Sequence, residues 1–173
     1  MTFIGLVAIM IFPAIVIVAA LRDTTTMTIP NWLCAAGIAA FAPAAALAHL
    51  SWGEIGLCLA VGLACLACGI GMFAAGWVGG GDAKLIAVCG LWLGWAPIAP
   101  FLVSTAIAGG AFTLLLMWSR ETASPLASLG PSWLARLLKP GGDVPYGVAI
   151  AIGALIAFPE SPFIAALSRA SGG

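Results

Sequence analysis

Two aspartates offer this chain its most definite chemistry. Asp23 closes the first apolar run, in Leu21-Arg22-Asp23-Thr24-Thr25-Thr26, and Asp82 follows three glycines in Gly79-Gly80-Gly81-Asp82-Ala83-Lys84-Leu85. Each has a plain structural reading. An acid at a helix exit is solvated by headgroup water, and an acid ahead of a helix caps free amides and suits the dipole. As a pair they have a further use. Two carboxylates sharing one proton can divide the work of peptide hydrolysis: the ionised one takes a proton from water, and the protonated one donates to the scissile carbonyl and later to the amine. Partial desolvation and mutual repulsion would keep that proton in place near neutral pH. Three glycines exceed what a cap needs, and they let a peptide backbone come close to the Asp82 carboxylate.

Other reactive side chains give weaker signals. His49 is the only histidine; it falls at the expected outer end of the second apolar run, opposite both acids, and reads as an interfacial residue. Asp143, just before the last run, reads as a cap or loop acid that could also join the site. Cys65 and Cys68 form a C-x-x-C, but no second pair or histidine lies nearby to complete a tetrahedral site, so no metal is expected. Serine chemistry lacks both a G-x-S-x-G elbow and a lysine placed for a Ser–Lys dyad. No cofactor is expected.

The elements that must position the two acids follow from composition. The chain is 63% hydrophobic and 7% charged, with a mean hydropathy of +1.18, whereas soluble domains carry roughly 25% charged residues. Such a chain cannot cover a water-facing surface, so the expectation is an all-α polytopic membrane protein with about six transmembrane helices among membrane lipids. Its net charge is zero, which gives no surface for nucleic acid. Apolar runs place the spans near residues 2–21, 32–50, 55–77, 83–97, 98–118 and 144–158, in a single transmembrane domain over 1–173. The first run lacks a positive n-region and is longer than a leader's apolar core, so it is expected to be a retained span. The fourth is short for a crossing. Gly62, Gly69 and Gly76 recur every seven residues along the third, as a packing face would. In the loop 119–143, PSWLARLLKP can place Trp133, Leu134, Leu137 and Leu138 on one face of a short interfacial helix.

Charge orients these spans. If they alternate, Arg22, Lys84, Arg120, Arg136 and Lys139 share one side and only Arg169 lies opposite, which makes that side cytoplasmic and puts the N-terminus outside. Both acids then sit on the cytoplasmic side. Trp32, Trp52, Trp77, Trp92, Trp95 and Trp118 fall near span ends, where an interfacial belt is expected.

Three separated motifs now combine: Asp23 with Ile29-Pro30-Asn31, the Gly79–Leu85 stretch, and Val144-Pro145-Tyr146-Gly147 opening the last span. In this order they resemble the type IV prepilin peptidases, the G-x-G-D membrane aspartyl proteases, and the likeness runs through nearly the whole chain. The resemblance implies that Asp23 and Asp82 are the catalytic pair. It also implies that Gly79, Gly80, Gly81, Lys84, Pro145, Tyr146 and Gly147 support the structure or face the substrate. The substrate it implies is a prepilin, cut on the cytoplasmic face of the bacterial inner membrane after a glycine preceding the apolar pilin helix. Larger relatives carry an extra cytoplasmic domain with two C-x-x-C pairs and also methylate the cleaved pilin. This chain has no insert between its first two spans and resembles the small form that serves Flp/Tad pili, so methylation is not expected. Two rival readings use the same acids, as relay groups in a small proton- or ion-coupled carrier or as structural residues in a secretion-system subunit. A carrier would place them near the bilayer midplane.

Overall fold

An apolar segment removed from water has to satisfy its backbone polar groups internally, and coiling into a helix does so. The computed structural model describes residues 3–122 and 130–171, and it shows helices joined by short turns with no strand among the described residues. The order is α1 (Phe3–Thr26), α2 (Asn31–Leu47), α3 (Trp52–Ala74), α4 (Gly80–Leu93), α5 (Ile98–Thr122), α6 (Ser132–Leu137), α7 (Gly147–Ala157) and α8 (Pro162–Ser171), with a 3-10 turn at Phe158–Glu160 between the last two. Four stretches are long and apolar enough to cross a membrane: Gly5–Thr26, Trp52–Ala74, Ile98–Thr122 and Gly147–Ala170. Asn31–Leu47 is a shorter apolar helix. Leu63, Ile107 and Leu114 stand exposed on α3 and α5, as side chains facing lipid do. The protein is an all-helical polytopic membrane protein.

Several helix ends differ from those read off the apolar runs, for local reasons. α1 continues past Leu21 to Thr26 because threonine hydroxyls fold back on the carbonyls of the preceding turn: Thr24 on Ala20 (2.8 Å), Thr25 on Leu21 (2.7 Å) and Thr26 on Arg22 (2.7 Å). Met27, at φ 55°, then stops it. α3 starts earlier than expected, at Trp52, through a capping box in which the Ser51 hydroxyl accepts from the Glu54 amide and Glu54 reaches back to the Ser51 amide. It ends on Gly76 at φ +75°, with the Gly76 amide on Phe73 and the Trp77 amide on Met72, a Schellman closure. Gly76 therefore makes a turn, and the expected packing stripe along α3 reduces to Gly62, against Leu91, and Gly69, against Ala83.

α4 is the inner helix. Ala83, Leu85, Val88 and Cys89–Leu93 are all buried, and an all-round apolar helix of this kind belongs inside a bundle. It packs on α3, while α7 lies between α1 and α5. Phe12, Phe41, Trp92, Phe158 and Phe163 form an aromatic cluster, with the Phe12 and Trp92 rings stacked 5.4 Å apart. The Trp92 indole N–H donates to the Gly37 carbonyl at 2.9 Å. Trp92 is thus core and not part of an interfacial belt, whereas Trp32, Trp52, Trp77, Trp95 and Trp118 are all well exposed. At the end away from the aspartates Arg169 pairs with Glu54 at 2.7 Å. α6 forms within the expected interfacial stretch, with Leu137 buried and Arg136 and Lys139 exposed; residues 123–129 of that loop lie outside the described residues.

Candidate active site

Asp23 occupies the last turn of α1 and is only 6% exposed. Its Oδ2 accepts the Gly147 N–H at 2.7 Å. Gly147 is the first residue of α7, where backbone amides have no partner inside the helix and the dipole favours an anion. This contact leaves no room for a side chain, since a Cβ at 147 would lie 2.9 Å from both Cβ and Oδ2 of Asp23. An acid on the first helix is thereby joined to the amide that opens the last apolar stretch.

Asp82 lies in the first turn of α4, ahead of the apolar run that begins at Ala83, with Gly79 as the N-cap. It is therefore not the cap itself. Each glycine before it meets something close. A Cβ at Gly79 would come within 3.0 Å of Asp82 Oδ2, one at Gly81 within 3.1 Å of Ile29 Cβ, and one at Gly80 within 3.4 Å of the Phe73 ring. The tripeptide lets the α4 entrance fit between the α1–α2 turn and the end of α3. Lys84 donates to Asn31 Oδ1 at 2.8 Å, tying the start of α4 to the start of α2. Asn31 is the first residue of α2, and Pro30 holds the N-cap place.

The two acids share their surroundings. Both line a cavity of about 580 Å³, together with Met27, Gly76, Trp77, Val78, Gly79 and the segment Asp143–Tyr146. Both also line an adjoining recess of about 290 Å³ bounded by Met27–Ile29 and Gly79–Gly81. Burial pushes the Asp82 carboxyl up to about 6, the negative charge of Asp23 adds to the rise, and a hydrogen bond from the Gly79 amide opposes it. Of the last motif, Pro145 is buried, Tyr146 lines the cavity with its ring against Gly109 of α5, and Gly147 holds Asp23.

The cavity also holds Asp143, the loop acid that could join the site, and residues that the sequence did not single out for it. Asp143 is a third carboxylate on its wall, and Met27 and Trp77 complete the lining. Among the described residues no three His, Cys, Asp or Glu side chains converge as a metal site would require. Cys65 packs against Gly90 and Cys68 is exposed on α3. His49 lines a separate pocket with Arg169, next to the Arg169–Glu54 pair. Chemically, the arrangement offers one carboxylate held by an amide donor and a second whose proton stays on at higher pH than usual, both facing one cavity.

Neither a curated protein nor a solved structure matches the chain. The sequence model of the type IV leader peptidase family matches residues 10–114, a stretch that takes in Asp23, Asp82 and most of the 173-residue chain. With that match the chain belongs to the type IV leader peptidase family.

Proposed function

We propose that this peptidase is an aspartyl endopeptidase that removes the leader of Flp-type prepilins, cutting after a glycine at the cytoplasmic face of the bacterial inner membrane. Asp23 and Asp82 are the catalytic pair in this reading. The observation that carries it is their common cavity, in which the charge on Asp23 helps to hold the proton on Asp82. Asp23, ionised and held by the Gly147 amide, takes a proton from a water as that water attacks the scissile carbonyl. Asp82 gives its proton to the carbonyl oxygen. The tetrahedral intermediate collapses as the amine takes the proton now on Asp23, the C–N bond breaks and one hydroxyl proton returns to Asp82, leaving a carboxylic acid. An extended peptide would lie in the recess that Gly79–Gly81 border beside Asp82, while Lys84, Pro145 and Tyr146 hold the walls.

The whole chain acts as one transmembrane protease domain, with the N-terminus periplasmic. Arg22, Lys84 and Arg120 cluster at the helix ends that carry the acids, as the cytoplasmic side requires. The same placement disfavours an ion carrier, whose acids would sit mid-helix between long apolar arms. Asp23→Asn and Asp82→Asn, each co-expressed with a prepilin, are expected to fold, insert and leave the leader uncut. Normal processing by either variant would remove the pair from the mechanism.

A further inference from the structure

Arg120 is a buried cation with no acidic partner among the described residues. It closes α5, is 9% exposed, and among the described residues it has no carboxylate within ion-pair distance. A charge removed from water needs partners, and Arg120 finds them in backbone carbonyls. Nε–H donates to Leu137 at 3.0 Å, Nη1 to Gly142 at 2.8 Å and Nη2 to Asp143 at 2.7 Å. All three carbonyls belong to one short segment, the end of α6 and the turn that follows. Gly141, at φ +70°, bends that turn, and the Gly142 amide closes it on the Lys139 carbonyl at 3.1 Å.

This segment leads directly to the site. Asp143, Val144, Pro145 and Tyr146 form one wall of the cavity, and the next residue, Gly147, donates its amide to Asp23. The wall is held at both ends, by the Arg120 fork before it and by the Gly147–Asp23 bond after it. A guanidinium suits this task because its donors form a rigid planar fork, whereas an ammonium is a single flexible point.

We propose that Arg120 is a positioning residue, which fixes the Asp143–Tyr146 wall and, through it, the Gly147 N–H on the Asp23 carboxylate. The proposal rests on the protease reading. Its test uses the full chain in nanodiscs with a purified prepilin, measuring kcat and KM separately. Arg120→Gln is expected to lose about 100-fold in kcat and Arg120→Lys about 10-fold, the range that small misplacement of a reacting group produces. The discriminating readout is coupling. In a Gly147→Ala background the contact through which Arg120 acts is already spoiled, so adding Arg120→Gln should cost less than about 3-fold more. A separate 100-fold loss in that background would show that Arg120 acts elsewhere and would overturn the proposal, as would full activity of Arg120→Gln. If Arg120→Gln does not fold, Arg120→Lys carries the same cycle. Normal cleavage by Asp23→Asn or Asp82→Asn would refute the protease reading itself, so the two failures remain separate.

Discussion

Replacing Gly147 by alanine tests the contact on which the site geometry depends. The added Cβ would lie 2.9 Å from Cβ and Oδ2 of Asp23 and 3.2 Å from its Cγ, whereas ordinary carbon contacts lie near 3.5–4.0 Å. Either the start of α7 or the Asp23 side chain has to retreat by roughly 0.5–1 Å to restore that spacing. The 2.7 Å bond from the Gly147 amide then lengthens or breaks. A hydrogen bond to a charged group contributes about 1.5–3 kcal/mol, which at 1.4 kcal/mol per decade corresponds to roughly 10- to 140-fold. Misplacing a reacting group by about 1 Å costs around 100-fold by a separate route, so both lines point to a loss near two orders of magnitude. The assay is kcat/KM for leader removal from a purified prepilin, with the thermal midpoint followed in parallel. Gly110→Ala in α5 is the matched control, because a Cβ there meets nothing within 4 Å and alanine favours a helix. Activity of Gly147→Ala within twofold of the Gly110→Ala control would show that the contact does not set the geometry of the acid.

Two further outcomes follow from the same structure. Asp82 titrates near 6, above its ordinary value of 3.8, so its proton is present below about pH 6 and is lost above it. The cleavage rate should fall tenfold per unit once pH exceeds that value, and a rate that instead climbs from pH 6 to a plateau near 8 would assign the proton donor to another group. Trp92→Ala should empty the aromatic cluster and remove the indole hydrogen bond to the Gly37 carbonyl. Loss of a buried aromatic costs about 3–5 kcal/mol, seen as a large drop in thermal midpoint in detergent, while Trp77→Ala, 79% exposed, should leave the midpoint close to that of the parent.

What could be read from the chain alone divides along physical lines. The helices were legible because apolar runs broken by Gly, Pro and charge report a bilayer-buried backbone directly, and the acid pair was legible because Asp82 lies in an unusual glycine tract. Helix ends were less so. The Thr24–Thr26 extension depends on hydroxyls choosing carbonyls of their own helix over water, and a polar triplet looks the same in either state. Trp92 could not be told from an interfacial tryptophan, because its burial comes from Phe12, Phe41 and Phe163, which are far away in sequence. Arg120 entered only as one positive charge among five on its side. Its three partners are backbone carbonyls, which have no residue identity to recognise, although a basic residue in the last turn of a helix before a glycine-rich loop is the pattern such a contact leaves.

The levels at which the two acids sit follow from a spacing that is present in the sequence but has meaning only in the fold. α1 carries Phe12 and Asp23, and α4 carries Trp92 and Asp82 in the opposite chain direction. At 1.5 Å per residue the eleven steps on α1 rise roughly 16 Å and the ten on α4 roughly 15 Å. The Phe12–Trp92 stack therefore fixes a register in which both acids arrive at the same height. α4 itself, with fourteen residues, is about 21 Å long, well short of a hydrocarbon core of about 30 Å. Its far end is set by the aromatic cluster and by Gly94, packed on Cys58 and Pro162. Its other end opens at Asp82, where Val78 and Gly79 join it to the end of α3 as open backbone beside both acids. A short inner helix anchored at one end is in this way enough to make a recess at the other, and the recess is where the two carboxylates meet.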